Sequence, residues 1–373
     1  MTTAVDLAFT DEQQFLREAV RGAIEREAPL RAVREWVIEP ASPDSGPGFD
    51  LAARQGWTGI GSPEEHGGQG GEEIELAILA EELGRGAVPA DGLYASLVAA
   101  SALRLAGAHA AVAPLALGEQ RAVLVHPGGQ PADTAHREKK APLVVGAAGA
   151  TAFIVWNGAS LERYAEADCE PRLLVDRTRS LADVTLHGEP IESLGGVEPS
   201  GMQAVAARAA VIVAADALGA AQRMLDLTVA YVSERRQFGV PVGSFQAVKH
   251  TAAEMLVAIE GTRAAVHYAA WSVAAGEASS AVDAWVAKSR AARVASFVAD
   301  KALFLHGAVG YTWEHDLQIL FKRAKSDGEL FGGPGLYEDR IADSLSLVPE
   351  AVRARAQPVT TTAPSDARAI LSS

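Results

Sequence analysis

Residues 233–250, SERRQFGVPVGSFQAVKH, hold the side chains best suited to binding chemistry. Arg235 and Arg236 stand together at the predicted end of a helix, and Phe238 follows them. A glycine and a proline then interrupt the pattern before a Phe-Gln pair opens the next helix. Two guanidiniums can donate charge-assisted hydrogen bonds to a phosphate or a carboxylate group. Taken alone, the segment favours a simpler interpretation, in which the arginines are last-turn cations that complement the helix dipole.

The composition indicates a large, acidic, globular chain. It has 373 residues, of which 49% are apolar and 21% are charged, so it can bury a sizeable core and form more than one domain. The formal charge of −14 argues against nucleic acid as the main partner, because duplex binding requires a basic face. The sequence shows no basic start followed by an apolar stretch, and no run of about 18 uninterrupted apolar residues. We therefore expect a cytoplasmic protein that binds no membrane.

The sequence does not favour metal or thiol chemistry. The nine histidines have no HExxH or clustered spacing, so we expect no metal site. Cys169, the only cysteine, excludes an internal disulfide. It lies among polar residues of a predicted strand region, where a passive role is favoured over a nucleophilic one.

Three stretches of different periodicity must position the arginine segment. Helical signals run to about residue 120, short apolar runs broken by Gly, Pro and Asp continue to about 195, and helical periodicity returns after about 200. These stretches predict a mostly α fold with a β insert. The expected parts are an N-terminal helical domain at 1–120, a small middle β domain at 121–197, a C-terminal four-helix bundle at 198–348 and a mobile polar tail at 349–373.

Three ordered segments, with this order of domains, resemble the acyl-CoA dehydrogenases, the FAD enzymes that oxidise the α–β bond of acyl-CoA thioesters. They are GWTGIGSPEEHGGQGGEEIELAILAEELGR at 56–85, SERRQFGVPVGSFQAVKHTAAEM at 233–255 and FLHGAVGYTWEHDLQILFKRAK at 304–325. Judged without the resemblance, HGGQGG at 66–71 is interpreted as a flexible loop rather than a phosphate cradle, because no strand precedes it. Together the three segments favour a cofactor contact for the arginine pair over the helix-dipole role.

The resemblance implies a role for the arginine segment in binding FAD. Arg235 would reach the pyrophosphate of a FAD that is bound mainly by a neighbouring subunit, which suits the fixed fork of a guanidinium. Gln237 would add a polar contact and Phe238 would pack near the flavin nucleotide. Gln246 belongs to the same binding element.

A second contact is implied at the segment His306-Gly307-Ala308-Val309-Gly310. Its backbone would approach the adenosine half of the cofactor, where small residues permit close contact. Ala308 replaces a glycine of the family pattern, and Phe304 replaces a glutamine. We therefore expect this contact to be altered.

The family's chemistry needs a carboxylate that removes an acidified α-proton while the flavin accepts a β-hydride. Family members place this glutamate at one of two positions, which match Phe331 and Ala209 in this chain. Neither side chain can take a proton. Glu329, Glu338 and Asp339 lie nearby in the sequence. We interpret them as solvated surface carboxylates, since catalysis falls steeply with displacements near 1 Å.

The predicted middle domain also departs from the family pattern. Residues 115–160 contain neither the Thr-Glu-Pro and Gly-Ser-Asp elements that cradle the flavin nor the Trp-Ile-Thr that packs beside its ring. Trp156 comes too late in the strand order to replace that tryptophan. The chain therefore keeps residues that a subunit lends to a neighbour's FAD and lacks those that would hold its own.

This combination resembles the partner subunits of the actinobacterial heteromeric acyl-CoA dehydrogenases, α2β2 assemblies linked with the degradation of sterol side chains and rings. In them the other subunit type supplies the glutamate. The segment ELFGGPGLYEDRIADSL at 329–345 looks like that of the partner subunits. The resemblance implies an oxidoreductase subunit that shares FAD with a cognate dehydrogenase chain and acts on an acyl-CoA.

Two alternatives remain open at this stage. One is a self-sufficient homotetrameric dehydrogenase that uses Glu329 or Glu338 as its base. The other is a scaffold or regulatory paralogue that binds a dehydrogenase without forming an active site. Substituting Glu329 and Glu338 one at a time tests the first alternative. Substituting Arg235 separates the second alternative from a subunit that shares FAD.

Overall fold

The computed structural model describes residues 7–38, 46–125 and 139–345. Thr10 caps the first helix, as its position before an acidic first turn predicts: its hydroxyl accepts a hydrogen bond from the Gln13 amide at 3.2 Å. The Gln13 side chain accepts one from the Thr10 amide in return. The helices of this first part are α1 (Asp11–Glu27), α2 (Leu30–Ile38), α3 (Gly48–Arg54), α4 (Glu73–Arg85), α5 (Asp91–Leu105) and α6 (His109–Ala116).

Two small sheets follow. Their strands are β1 (Ala122–Val125), β2 (Lys140–Val145), β3 (Ala152–Trp156), β4 (Ser160–Tyr164), β5 (Ala167–Pro171), β6 (Leu181–Leu186) and β7 (Glu192–Gly196). One sheet has the order β1-β3-β4-β7, with β1 and β3 parallel, and the antiparallel second sheet has the order β2-β6-β5. Alternate residues of β6 are buried and pack with buried side chains of β1 and β3 into an apolar core of their own.

Long helices form the remainder: α7 (Pro199–Glu234), α8 (Gln246–Ala274), α9 (Ser280–His306), α10 (Leu317–Glu329) and α11 (Pro334–Ser344), with β8 (Arg236–Gln237) and β9 (Val240–Pro241) paired between α7 and α8. The helices α7 to α10 pack against one another as a bundle, and α11 lies against α9. The predicted fold class, mostly α with a β insert, is confirmed. The domain boundaries stay predictions, and the tail expected at 349–373 lies outside the described residues.

The helix α7 forms the centre of the bundle. An 18-residue window of its 36 residues has a mean hydropathy of 1.7, so by length and composition alone α7 could span a membrane. This helix contains no long uninterrupted apolar run, because charged residues such as Asp216 occur within it. Since 83% of that window is buried inside the protein, packing against α4, α8, α9 and α10 accounts for its apolar residues.

Two glycines permit the close approach of α4 and α7. A Cβ atom on Gly84 would lie 2.0 Å from the Asp216 carbonyl oxygen, and one on Gly219 would lie 1.8 Å from that of Glu81. Both distances are far below van der Waals contact, so the helices can touch only where side chains are absent. The glycine of the EELGR segment is therefore a packing residue that seats the N-terminal helices on the bundle.

The glycine-rich segment at 66–71 is a turn closed by backbone hydrogen bonds. The Gly61 amide donates to the Gly70 carbonyl at 2.8 Å, and the Gly70 amide donates to the Ser62 carbonyl at 2.9 Å. A Cβ on Gly68 would lie 2.0 Å from the Ser62 carbonyl oxygen. Because the Gly61 and Gly70 amides are satisfied within the chain, they are not available to bind a phosphate.

We expect Gly84→Ala to destabilise the protein by about 2 kcal/mol or more, because the added methyl group clashes with the backbone of α7. The matched control is Gly22→Ala in α1, where a Cβ would meet only the end of the Arg26 side chain at 3.3 Å. Alanine is preferred over glycine in a helix by about 1 kcal/mol, so the control should be neutral or stabilising. Thermal unfolding of both variants measures this, and equal midpoints would contradict the packing role.

Candidate functional site

The predicted arginine segment is a two-stranded hairpin at the end of α7. The Arg235 amide ends the helix by donating to the Tyr231 carbonyl at 2.9 Å. Pairing of β8 with β9 leaves Phe238 and Gly239 as the turn. Both turn residues have positive φ, 52° and 80°, which is the pattern of a tight type I′ hairpin turn.

The hairpin exposes its side chains to solvent. Phe238 is 93% exposed and adopts a backbone conformation that phenylalanine rarely takes. Arg235, Arg236 and Gln237 are exposed as well. In the described part of the chain no acid lies within ion-pair distance of either guanidinium, and Arg236 makes only a long contact of 3.4 Å to the Gly239 carbonyl. A backbone outlier, an exposed ring and unpaired charge coincide here, and such outliers point to function.

The second predicted contact segment lies at the end of α9. Gly307, with φ 64°, begins a short 3₁₀ turn, and nothing lies within 4 Å of where its Cβ would be. Gly307 and Ala308 are exposed, whereas His306 and Gly310 are buried against each other. Their roles toward a cofactor stay predictions. Of the predicted contact residues, those accessible to a ligand in this structure are Arg235, Gln237, Phe238, Gln246, Gly307 and Ala308.

Three aromatic rings connect these two segments. The His306 ring stacks on Tyr231, with centroids 4.5 Å apart and planes 18° apart, and meets His315 edge-on at 4.9 Å. Tyr231 lies in the last turn of α7 and His306 ends α9. The stack therefore joins the helix ends that carry both predicted contact segments. Burial lowers the pKa of both histidines, so both rings are neutral near pH 7.

Phe331, at the first predicted base position, lies in the turn between α10 and α11 with φ 56°. The Tyr337 hydroxyl donates to its carbonyl oxygen at 2.6 Å. The buried Lys288 ammonium of α9 donates to three backbone carbonyls around the turn, at 2.9, 3.0 and 3.3 Å. Burial lowers the pKa of Lys288 to about 8. A cation thus holds this turn, and an aromatic side chain occupies the first position predicted for the base.

Of the other acids near the turn, Glu338 is poorly suited to act as a base. Glu338 accepts two hydrogen bonds from Arg293, at 2.5 and 2.6 Å, and these lower the pKa of Glu338 to about 2. Glu329 and Asp339 are exposed to solvent. Ala209, at the second predicted base position, is buried in α7.

A fully buried ion cluster lies next to this turn. Arg179, from the loop between β5 and β6, contacts Asp91 of α5 at 2.7 Å, Asp216 of α7 at 3.1 Å and also Asp327 of α10. Arg323 of α10 donates two hydrogen bonds to Asp216, at 2.6 and 3.0 Å. None of the five side chains is more than 1% exposed. One cluster therefore joins the N-terminal helices, the β part and the bundle.

The acids of the cluster differ in protonation. Burial opposes ionisation of Asp216, but the two guanidiniums and the Tyr94 hydroxyl, which donates at 2.6 Å, hold its pKa below the usual range. Burial raises the pKa of Asp327 well above its usual value, and its Oδ2 has no hydrogen-bond partner among the described residues. Burial also raises the pKa of Asp91. Asp216 is thus the acid of the cluster whose charge is stabilised most.

Sequence reasoning missed this cluster. Its members are spread from residue 91 to residue 327, and each alone is typical of a solvated surface charge. The local signal is the i, i+4 spacing of Arg323 and Asp327 in FKRAKSDG, which places both on one face of a helix. Nothing in the sequence pattern identifies Asp91 or Arg179 as their partners.

The β part uses Trp156 for packing. The indole is buried, and its N–H donates to the Val197 carbonyl at 2.9 Å, which ties the sheet to the start of α7. Cys169 is half-buried in β5, and burial raises the pKa of its thiol. No metal-binding group of His, Cys, Asp or Glu occurs among the residues that the structure describes. Residues 126–138, part of the stretch expected to lack the flavin-cradling elements, lie outside the described ranges.

Comparison with known proteins identifies the family. Two family models match, described as "Acyl-CoA dehydrogenase, N-terminal domain" over residues 10–111 and "Acyl-CoA dehydrogenase, C-terminal domain" over residues 201–345. The acyl-CoA dehydrogenase IpdE2 of Mycolicibacterium smegmatis is 34% identical over 331 residues, which cover 87% of this chain and 96% of that protein. The chain belongs to the acyl-CoA dehydrogenase family.

Further relatives extend this result. The acyl-CoA dehydrogenase FadE34 of Mycobacterium tuberculosis is 34% identical over 350 residues, 89% of this chain and 48% of that protein. Among solved structures, a variant of the Tcur3481-Tcur3483 steroid ACAD has a TM-score of 0.78 at 25% identity, covering 90% of this chain and 98% of that one. The ChsE4-ChsE5 complex from Mycobacterium tuberculosis has a TM-score of 0.81 at 22% identity, covering 92% and 100%.

Acyl-CoA dehydrogenases are FAD oxidoreductases, and the exposed groups of this family member fit parts of that cofactor. An unpaired guanidinium at Arg235 suits a diphosphate, and the exposed ring of Phe238 offers a flat apolar surface to a nucleotide. The open backbone at Gly307 permits close approach of a ligand. These groups lie on the bundle rather than on the β part.

We expect Arg179→Met to destabilise this acyl-CoA dehydrogenase chain by about 3–5 kcal/mol, because it leaves buried carboxylates without their cation. Arg172→Met is the matched control in the same β part, since it removes a partly exposed pair with Asp183 and should leave the thermal midpoint nearly unchanged. Soluble yield and thermal unfolding of the two variants test this. A thermal midpoint for Arg179→Met that equals that of the control would show that the cluster does not hold the parts together.

Proposed function

We propose that this chain is the non-catalytic subunit of a heteromeric acyl-CoA dehydrogenase, in which it completes the FAD site of a partner subunit that carries the catalytic glutamate. One contrast carries the proposal. The hairpin at 235–240 offers unpaired cations to a ligand, while Phe331 and Ala209 stand at both base positions. Such a chain can bind a cofactor but has no carboxylate placed to deprotonate a thioester. We expect the assembly to be cytoplasmic.

Bound in the proposed site, FAD would supply a hydride acceptor for the β-carbon of the acyl chain, and the partner subunit would supply the base for the α-proton. This chain contributes binding and orientation. Arg235 would donate paired hydrogen bonds to the diphosphate, and Gln237 and Gln246 would add polar contacts. Phe238 would pack on the nucleotide, and the exposed backbone that begins at Gly307 would approach the adenosine half.

The exposure of the hairpin supports a cofactor housed by another chain. A ligand that contacts both Arg235 and Phe238 must extend beyond the surface of this chain, because both side chains are open to solvent. Association that covers Phe238 would also remove apolar surface from water, which favours association by about 25 cal/mol for each Å² buried. In the free chain that gain is missing, while the unfavourable backbone conformation at Phe238 remains.

We propose a sterol-derived acyl-CoA as the substrate of the assembly. Similarity to the Tcur3481-Tcur3483 steroid ACAD supports this substrate class. The description of that relative names two proteins, Tcur3481 and Tcur3483, and ChsE4-ChsE5 is described as a complex. Both similarities support an assembly of two kinds of chain. In such an assembly the residues that shape the acyl cavity belong largely to the partner.

Arg235→Ala tests the shared cofactor site. Co-purified with its cognate acyl-CoA dehydrogenase partner, the variant complex should bind FAD about 10- to 100-fold more weakly, because one charge-assisted contact worth about 1.5–3 kcal/mol is lost. The measurements are FAD per complex after gel filtration and FAD titration of the stripped complex. Arg31→Ala, on the exposed face of α2, is the control that should leave FAD binding unchanged.

Two results would contradict the proposal in different ways. A complex whose FAD content and turnover ignore Arg235→Ala supports the scaffold alternative instead. A homo-oligomer of this chain that holds stoichiometric FAD and oxidises an acyl-CoA removes the need for a partner.

The homo-oligomeric alternative has one specific observation in its favour: Glu329, two residues before Phe331, is exposed and makes no ion pair within the described residues. If it were the base, Glu329→Gln would lower turnover by about a hundredfold or more. We expect no such loss for Glu329→Gln, and none for Glu338→Gln, when turnover of the complex on an acyl-CoA is measured. A hundredfold loss in either variant would establish a relocated base.

A further inference from the structure

We infer that His306 is a positioning residue: its imidazole, stacked on Tyr231 and edged by His315, fixes the ends of α7 and α9 relative to each other, and protonation of the ring releases them. The inference deepens the proposed function and rests on it, because these helix ends carry the hairpin and the Gly307 turn of the proposed FAD site. His306 thus acts on the cofactor through other residues, not by contact.

The stack is tied to the backbone on both sides. The Tyr231 carbonyl accepts the Arg235 amide at 2.9 Å, so the residue under the imidazole also ends the helix that leads into the hairpin. On the other side, a Cβ on Gly310 would lie 3.0 Å from the His306 Cβ, so the turn after α9 packs directly on this residue. A shift of the imidazole would therefore reach both contact segments.

The hydrogen bonding of His306 requires one neutral tautomer. Its Nδ1 lies 2.8 Å from the Ala302 carbonyl oxygen, which can only accept, so Nδ1 carries the proton. Its Nε2 is buried and has no hydrogen-bond partner among the described residues. A second proton would create a buried, unpaired charge at Nε2, which is costly.

The groups packed around His306 do not compensate such a charge. Tyr231 of α7 presents a neutral ring. His315, in the loop that follows, can itself become positively charged, and its charge would repel a charge on His306. Asp316, the next residue, is paired with Arg34 of α2 at 2.6 Å. Because burial lowers the pKa of His306, the folded chain favours the neutral form of this imidazole. The stack of the neutral ring contributes fully to stability above the ordinary histidine pKa near 6.5. This contribution is lost as the pH falls from there through the lowered pKa of His306 in the folded chain.

Hydrogen exchange on the full-length chain tests the inference without any cofactor. Between about pH 7.5 and about pH 5.5, after correction for intrinsic exchange, peptides covering 232–245 and 307–312 should exchange at least about fivefold faster. A peptide covering 76–83 of α4, away from the rings, should not change. The same pH series on the co-purified complex, with retained FAD as the readout, should show parallel loss of FAD.

Two variants separate charge from packing. His306→Phe keeps a stacking ring and cannot titrate, so it should protect the hairpin equally at both pH values. His306→Asn keeps a donor near the Nδ1 position but loses the stack, so its hairpin peptides should exchange faster at both pH values. If His306→Phe does not fold, the flat pH response expected of His306→Asn still tests the role of the proton.

A pH response that persists in His306→Phe or His306→Asn overturns the inference, because another group must then be titrating. An unchanged exchange rate in the native chain overturns it as well. A third result is exchange that follows the expected pattern while the FAD content of the complex does not change with pH. That result would support the positioning role of His306 and contradict the shared FAD site of the proposed function.

Discussion

A guanidinium buried among three carboxylates fixes how the parts of this chain meet. Arg179 comes from the β part, and Asp91, Asp216 and Asp327 come from an N-terminal helix, the central bundle helix and the helix before the Phe331 turn. Apolar contacts tolerate small slides between elements, but a buried charge is stable only where its partners meet it closely. The glycine contact between α4 and α7 lies at the same place, since the backbone of Asp216 fills the space beside Gly84. Packing and charge therefore impose one arrangement.

This arrangement also determines what the acids of the chain can do. Asp216 is held ionised by two arginines and a tyrosine hydroxyl, Asp327 is buried in contact with Arg179, and Glu338 is bound by Arg293. Lys288 donates hydrogen bonds to backbone carbonyls of the turn. A dehydrogenase needs an acid that is free to take a proton near its substrate. Asp216, Asp327 and Glu338 are instead engaged with cations that hold the fold.

Local patterns in the sequence predict what depends on near neighbours. The Thr10 cap, the change from helical to short-strand periodicity and the break between two helices after Arg236 all follow from residues a few positions apart. The ion cluster does not, because its partners are separated by 88 residues between Asp91 and Arg179 and by 148 between Arg179 and Asp327. His306 shows the same limit: the motif predicts a backbone contact at this position, but only the folded chain places Tyr231 and His315 against its ring.

The hairpin and the interior treat charge in opposite ways, and that difference has a physical meaning. Inside, the charged side chains of the cluster have partners at hydrogen-bond distance, as burial requires. On the hairpin of a chain with net charge −14, Arg235 and Arg236 have no acidic partner in the described structure, although acids are the more abundant charged residues. The same few residues carry an exposed phenyl ring and a left-handed backbone at Phe238. The exposed ring and the left-handed backbone are unfavourable for the free chain, and an anionic ligand held against an apolar surface would pair the charge and cover the ring together.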